Sequence, residues 1–223
     1  MKIEKSEILI STERTLEYEH ARAIRGFFGR LFKTVPAFHG HTGTAFIYKH
    51  PLIQYKVSNG SALIMGLKEG AYLLKAVPPL EHLTVHGEQL PVVAQTLSDG
   101  AFEFGLCGRP SQYEFVTSWG ALNQNNYHTY CALKDDSTAV NQLLTRILIG
   151  NLLSLSKAVG YVVDETIQVD LTVTGCEELE AKRGVHLIGF NGRFRANFAI
   201  PNNWGVGKFS SRGYGMVARV DAA

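Results

Sequence analysis

The stretch Gly205-Val206-Gly207-Lys208-Phe209-Ser210-Ser211-Arg212-Gly213-Tyr214-Gly215 decides between two very different folds. Two Gly-apolar-Gly triplets flank five residues, two of them basic and two hydroxylated. A Walker loop needs Gly, four residues, then Gly-Lys-Ser/Thr, but Phe209 follows Gly207-Lys208 here. A dinucleotide fingerprint tolerates Ser210 as its third small residue, yet it opens a helix within a βαβ unit and has an acidic ribose ligand downstream. Only eight residues follow Gly215, and Met216-Val217-Ala218-Arg219-Val220 among them reads as a strand. A doubly wound nucleotide fold is therefore not indicated. What remains is a glycine-rich connection between the last two strands. It is either a plain hairpin or a cradle in which Lys208, Ser210, Ser211 and Arg212 meet an anion while the glycines let a phosphate backbone come close.

Working outward, the 223 residues suffice for one large domain or two of roughly 100 residues each. A hydrophobic content of 45% with 19% charged residues is ordinary for a globular protein. The net charge of +2 means that any polyanion must be held by local patches rather than by the overall field. Cys107, Cys131 and Cys176 are odd in number, widely spaced and form no CxxC or Cys/His ligand pair, which suggests a reduced, disulfide-free cytoplasmic protein. The start Met1-Lys2-Ile3-Glu4-Lys5 carries no signal-peptide run, and the apolar stretch 147–155 is too short for a membrane span.

The pattern predicts a strand over Ile3–Ser11, then a helix over about Glu13–Lys33 capped by Ser11 or Thr12. On that helix Leu16, Ile24, Phe27, Phe28, Leu31 and Val35 share one side, with Arg14, Arg22, Arg25, Arg30 and Lys33 opposite. Gly26 and Gly29 each cost about 1 kcal/mol against Ala, a cost that points to close approach by another element or a ligand backbone, or equally to a frayed helix end. Strands Ala45–Tyr48, Leu52–Val57 and Ala62–Gly66 follow, the last two joined at Asn59-Gly60. A helix over Glu69–Val77 stops at Pro78-Pro79, and Leu83–His86 starts a further strand. The first half thus reads β-α-β-β-α-β.

The second half repeats that order. Gln112–Ser118 and Tyr127–Leu133 read as strands around an Asn-rich loop. Asp135-Asp136-Ser137 caps a long apolar helix that runs to Val159 and stops at Gly160. Strands Ile167–Thr174, Val185–Phe190 and Arg193–Ile200 follow, with Asn191-Gly192 as a turn, before the glycine segment leads to the last strand. The expectation is an α+β protein of two tandem ferredoxin-like (βαββαβ) domains with antiparallel sheets, at residues 1–108 and 109–223.

That order, a histidine-bearing loop after the first helix and the four glycines near the C-terminus resemble the CRISPR repeat-processing endoribonucleases of the RAMP superfamily. Tyr48-Lys49-His50-Pro51-Leu52-Ile53-Gln54-Tyr55-Lys56-Val57 resembles the same proteins less specifically. The resemblance implies metal-independent cleavage of precursor CRISPR RNA beside a repeat stem. The 2′-hydroxyl attacks the adjacent phosphate and leaves a 2′,3′-cyclic phosphate and a 5′-hydroxyl. Repeat RNA is the implied partner and no cofactor is implied. Association with other CRISPR effector subunits, or of two copies in a homodimer, is left open.

Such chemistry needs a base, an acid and positive charge on the phosphorane, and histidine carries protons near neutral pH. The resemblance places the catalytic histidine just after the first helix, where His39 and His41 flank Gly40. Two solvated histidines, or a His-x-His metal pair, are the competing readings; the absence of clustered carboxylates around them argues against a metal site. Lys49 and Lys56 are candidate phosphate stabilisers, and Tyr48 a hydrogen-bond partner of the nucleophile. His50, His82, His86, His128 and His186 have no supporting cluster. For RNA grip the candidates are Gly205, Gly207, Lys208, Ser210, Ser211, Arg212, Gly213 and Gly215. Arg22, Arg25, Arg193 and Arg195 stand behind them, and Trp204 either stacks a base or anchors the loop. An RNA-holding subunit without catalysis, or a ferredoxin-like module with no RNA role, uses the same fold.

Overall fold

The computed structural model describes residues 1–39, 41–42, 45–46, 50–182 and 184–220; at 41, 42, 45, 46, 181, 182 and 185 it describes the backbone alone. The chain divides into two compact units. One comprises Met1–Glu103 with Ser211–Gly213, the other Phe104–Ser210 with Tyr214–Ala223.

In the first unit the chain runs β1 (Lys2–Thr12), α1 (Ala21–Leu31), a small pair β2 (His41–Thr42) and β3 (Ala45–Phe46), then β4 (Ile53–Ser58) and β5 (Ser61–Leu67). It continues through α2 (Glu69–Leu74), β6 (His82–Val85) and β7 (Glu88–Glu103). The sheet order is β4-β5-β1-β7-β6, with neighbours antiparallel, which is the ferredoxin-like order with β6 added at one edge. Period-two alternation makes this sheet two-faced. Ile8 and Ile10 of β1, Ile64 of β5 and Tyr55 of β4 share the face that packs with Ile24 and Phe28 of α1. At the Asn59-Gly60 turn both residues have positive φ (48° and 75°), as the expected two-residue hairpin requires.

The second unit runs β8 (Gly105–Phe115), β9 (Trp119–Gly120), α3 (Gln124–Leu133), α4 (Ser137–Ala158), β10 (Val169–Lys182), β11 (Val185–Ala199) and β12 (Val217–Val220). Its sheet order, β10-β11-β8-β12, repeats that of the first unit, with β9 pairing β11. The crossover that would be a second helix is instead the glycine segment between β11 and β12. Asp136 caps α4 as expected, its Oδ1 accepting from Ala139 N at 3.0 Å, and Gly160 (φ 67°) follows the helix end. Both expectations about fold hold: α+β, with two tandem antiparallel ferredoxin-like units.

Four local expectations do not hold. Tyr127–Leu133 is helix, not strand: Asn123 is the N-cap of α3, its Oδ1 accepting from Asn126 N at 2.7 Å. The Asn191-Gly192 dipeptide makes no turn and lies inside the continuous β11, because β10 carries an irregularity opposite it. A side chain at Gly192 would lie 2.2 Å from Thr172 O, so close backbone approach rather than reversal accounts for this glycine. The first helix begins at Ala21, not near Glu13: Leu16 is drawn into the core with its N–H bonded to Gly60 O, and Glu17 with His20 forms a capping box over a 3₁₀ turn, Tyr18–His20. The fourth main strand of the first unit is β7 rather than the Leu83–His86 strand, which turns back through His86-Gly87 (φ 51° and 89°). Among the described residues no helix is long and apolar enough to cross a membrane.

Candidate nucleic-acid interface

After α1 the chain makes a 3₁₀ turn, Pro36–Phe38, and His39 N donates to Pro36 O at 3.1 Å. Phe38 anchors this turn: it is buried and stacks on Phe32 with ring centroids 4.4 Å apart. Two side chains then hold successive carbonyls. Tyr55 Oη donates to Phe38 O at 2.9 Å, and the Arg25 guanidinium donates to His39 O. Burial pushes the Tyr55 hydroxyl up from its ordinary range, so it stays a donor, and burial pulls Arg25 down from its own. The His39 ring Nε2 lies 3.0 Å from Lys33 O. A carbonyl only accepts, so Nε2 carries the proton and, in the neutral ring, the lone pair is on Nδ1.

Of the expected catalytic set, His39 is therefore placed on a turn whose backbone is tied at two consecutive carbonyls. His41 is described by its backbone alone, in β2 paired with Phe46, and Tyr48 and Lys49 lie outside the described residues. Lys56 departs from the sequence reading. It lies on β4, on the sheet face opposite Tyr55, and is completely buried; burial pulls its ammonium down to about 7. A fully buried side chain is not an exposed phosphate clamp.

The glycine segment is shaped by its own unit's core. Trp204 and Val206 are fully buried, so Trp204 anchors the loop and offers no face to a base. Val206 N donates to Gly215 O at 2.9 Å, and Lys208 N to Gly120 O at 2.8 Å. Gly207 has φ 81°, and a Cβ there would lie 2.5 Å from Trp119 Nε1, whose own proton goes to Asn151 of α4. Gly213, in the short piece that belongs to the first unit, has φ 102° and would place a Cβ 2.8 Å from Ala21 Cβ. Gly205 pairs with Met216 in an isolated bridge, as Gly120 does with Lys208.

The side chains of the segment divide. Lys208 is exposed, and Ser211 and Arg212 are half-buried in the 3₁₀ turn Ser210–Arg212. Ser210 is a correction: at 2% exposure it is part of the packing and presents no hydroxyl to a ligand. Arg25 is a second correction, since its guanidinium is directed to His39 O rather than outward, while Arg22 on the same helix is exposed. Arg193 and Arg195 flank buried Phe194 on β11 and share its exposed face, as their spacing implies. Arg193 is bound to Glu114 Oε2 through Nε (3.0 Å) and Nη2 (2.9 Å). Among the described residues no three His, Cys, Asp or Glu side chains gather as a metal site, and Cys107, Cys131 and Cys176 are free thiols.

Sequence reasoning passed over Tyr55 and Arg25 as the residues that hold the histidine turn. In the sequence Tyr55 lies in the stretch 48–57 that resembles the family, with nothing to single it out there, and the spacing of Arg25 puts it on the helix's outer face.

Residues 1–103 match the model of the Cas6b N-terminal domain and residues 105–220 that of the Cas6b C-terminal domain. A crystal structure of Cas6b superposes with a TM-score of 0.91 at 30% identity, covering 99% of this chain and 100% of that one. A second, of the CRISPR RNA processing endoribonuclease Cas6b, gives 0.76 at 28% identity with the same coverage. An uncharacterised protein of Methanocaldococcus jannaschii is 38% identical over 143 residues, 64% of this chain and 95% of its own length. Both halves match in order and the whole chain superposes on a solved member: this chain belongs to the Cas6b family.

Proposed function

We propose that the protein is a metal-independent endoribonuclease that binds CRISPR repeat RNA and cuts the precursor transcript. The observation that carries this reading is the match to the Cas6b family over both domains, together with likeness along the whole chain to a protein described as a CRISPR RNA processing endoribonuclease.

In this reading the RNA supplies its own nucleophile. The 2′-O–P bond forms as the P–O5′ bond breaks; the base takes the 2′-hydroxyl proton and the acid returns one to the departing 5′-oxygen, leaving a cyclic phosphate and a 5′-hydroxyl. We assign the proton-carrier roles to His39 and His41, a hydrogen bond to the nucleophile to Tyr48, and charge on the phosphate to Lys49. The base role for His39 is supported by its geometry, because the bond from Nε2 to Lys33 O leaves the lone pair of the neutral ring on Nδ1. Tyr55 and Arg25 fix the turn that aims it. Lys208, Ser211 and Arg212 with the loop glycines, and Arg22 with Arg193 and Arg195, are the proposed contacts to the RNA backbone.

The test is cleavage of the cognate repeat RNA by purified protein in excess EDTA, with the product ends analysed. The expected result is a 2′,3′-cyclic phosphate, lost or slowed about 100-fold or more in His39→Ala and His41→Ala with RNA affinity retained. Binding without cutting by the unaltered protein overturns the catalytic reading in favour of an RNA-holding effector subunit.

A further inference from the structure

We propose that a cleft beside the glycine segment takes one unpaired nucleobase of the bound RNA, a reading that rests on the RNA partner proposed above. The cleft lies wholly within the second unit, between α3, the β10–β11 hairpin and Lys208-Phe209, and encloses about 600 Å³. Its wall is unusual for a helix-on-sheet layer. The ten residues of α3 include none that is buried, and the helix meets the hairpin at Tyr130, whose ring lies edge-on to Phe190 with centroids 5.6 Å apart.

The lining suits a flat, edge-bonding ligand. Leu187 and Ile188 of β11 line it, with Tyr127 of α3 and Phe209 of the glycine segment. Phe209 is held at φ 57°, a backbone state that only a few per cent of non-glycine residues adopt, next to the bridge between Lys208 and Gly120. Strain of that kind persists where the surroundings impose it and gathers at binding sites. Aromatic faces accept any base by stacking.

The polar groups decide what enters. Glu177 is positioned by Ser118 Oγ and lies 3.5 Å from Asn191 Nδ2. Glu178 is paired with His186 Nδ1 at 2.9 Å. Two carboxylates against the single ammonium of Lys208 disfavour a phosphate here. A carboxylate accepts from the exocyclic amino groups of cytosine, adenine or guanine, and from guanine N1–H and N2–H together; uracil offers one N3–H set between two carbonyl oxygens that repel the carboxylate. Because the cleft adjoins the segment proposed to grip the backbone, its occupant is a base of the same strand. The expected preference is for an amino-bearing base over uracil.

The experiment uses repeat RNA carrying a 2′-deoxy residue at the scissile position, so that binding is measured without cleavage. Each nucleotide in turn is replaced by an abasic residue. The expected result is a position whose base contributes roughly 10-fold or more to affinity while the slope of log K against log salt is unchanged. That contribution vanishes in Tyr127→Ala, a change at an exposed helix position, and Glu177→Gln weakens the discrimination against uracil. The two measurements together form a double-mutant cycle between protein ring and RNA base. If the unaltered protein binds the RNA but every base loss is equal, or the base effect survives Tyr127→Ala, the cleft is not a base site. If no salt-sensitive RNA binding is found at all, the RNA reading itself fails, and the base site with it.

Discussion

A Cβ placed on Gly29 would stand 3.2 Å from the Cβ of His39, closer than two such carbons ordinarily pack. The glycine on the last turns of α1 is thus what lets the histidine turn lie against the helix. Gly26, one turn earlier, faces only the Arg30 guanidinium, at 3.6 Å. Ala at either position gains about 1 kcal/mol of helix propensity. Gly26→Ala is expected to raise thermal stability and leave cleavage untouched. Gly29→Ala is expected to lower the single-turnover cleavage rate about 10-fold or more without loss of melting temperature, as a small misplacement of a proton carrier does. Thermal denaturation beside single-turnover cleavage of the repeat RNA checks both.

Tyr55→Phe removes the donor to Phe38 O and leaves a buried carbonyl unsatisfied. That costs about 1–3 kcal/mol, read in urea denaturation. The cleavage rate constant is expected to fall while RNA affinity stays, because Tyr55 acts on the histidine turn and not on the backbone contacts.

Gly207→Ala forces a side chain into a φ of 81° and against Trp119. The left-handed conformation alone costs roughly 1–2 kcal/mol. With the clash added, the melting temperature is expected to drop by several degrees, and RNA affinity with it. Gly108→Ala, where nothing lies within 4 Å of the added carbon, is the control and is expected to stay within about 0.5 kcal/mol.

Lys56 gives the fold a pH dependence in the alkaline range. Its folded value of about 7 lies below the ordinary 10.5, and burial is the cause. Below pH 7 the amine is protonated in both states and the folded protein carries the full burial penalty. Between pH 7 and 10.5 the unfolded chain binds a proton that the folded one does not, so stability rises with pH, at most about 1.4 kcal/mol per unit. Lys56→Met is expected to flatten that rise, read from urea midpoints at pH 6, 8 and 10.

Arg193 and Arg195 share a strand face but not a situation. Arg193 is already bound to Glu114, whereas Arg195 makes no salt bridge among the described residues. Arg195→Ala is expected to weaken RNA binding uniformly across sequences and to reduce the salt slope by about 0.7–0.9. Arg193→Ala is expected to change it less, because its gain on RNA binding is offset by the pair it gives up. Titrations at several salt concentrations separate the two.

The parts of the fold that could be read from the residues were those where local chemistry and tertiary packing agree. Asn59-Gly60 supplies two left-handed residues between alternating strands, and Asp136 with Gly160 brackets α4. The failures lie where packing overrules local pattern. Tyr127, Thr129, Cys131 and Leu133 alternate like a strand, and α3 has no buried stripe to betray its helical period. Asn191-Gly192 has the composition of a turn, yet its glycine answers to Thr172 across the ladder. Among the candidate residues, the four glycines and the loop bearing His39 stand out in the sequence itself. The bonds from Tyr55 and Arg25 do not, since a strand tyrosine and a helix arginine carry no local mark of which distant carbonyl they will meet.

The replacement of a second crossover helix by the glycine segment also orders events during synthesis. β12 pairs with β8 about a hundred residues upstream, and Ser211–Gly213 is counted among the residues of the first unit. Neither unit therefore has all its parts until the ribosome has passed the glycine segment. The nascent first unit waits with Ala21 uncovered by Gly213, and the second with β8 open along one edge. Contacts this distant in sequence form late and slowly. The segment proposed to hold RNA thus supplies residues to both units, and neither is complete before the chain has reached it.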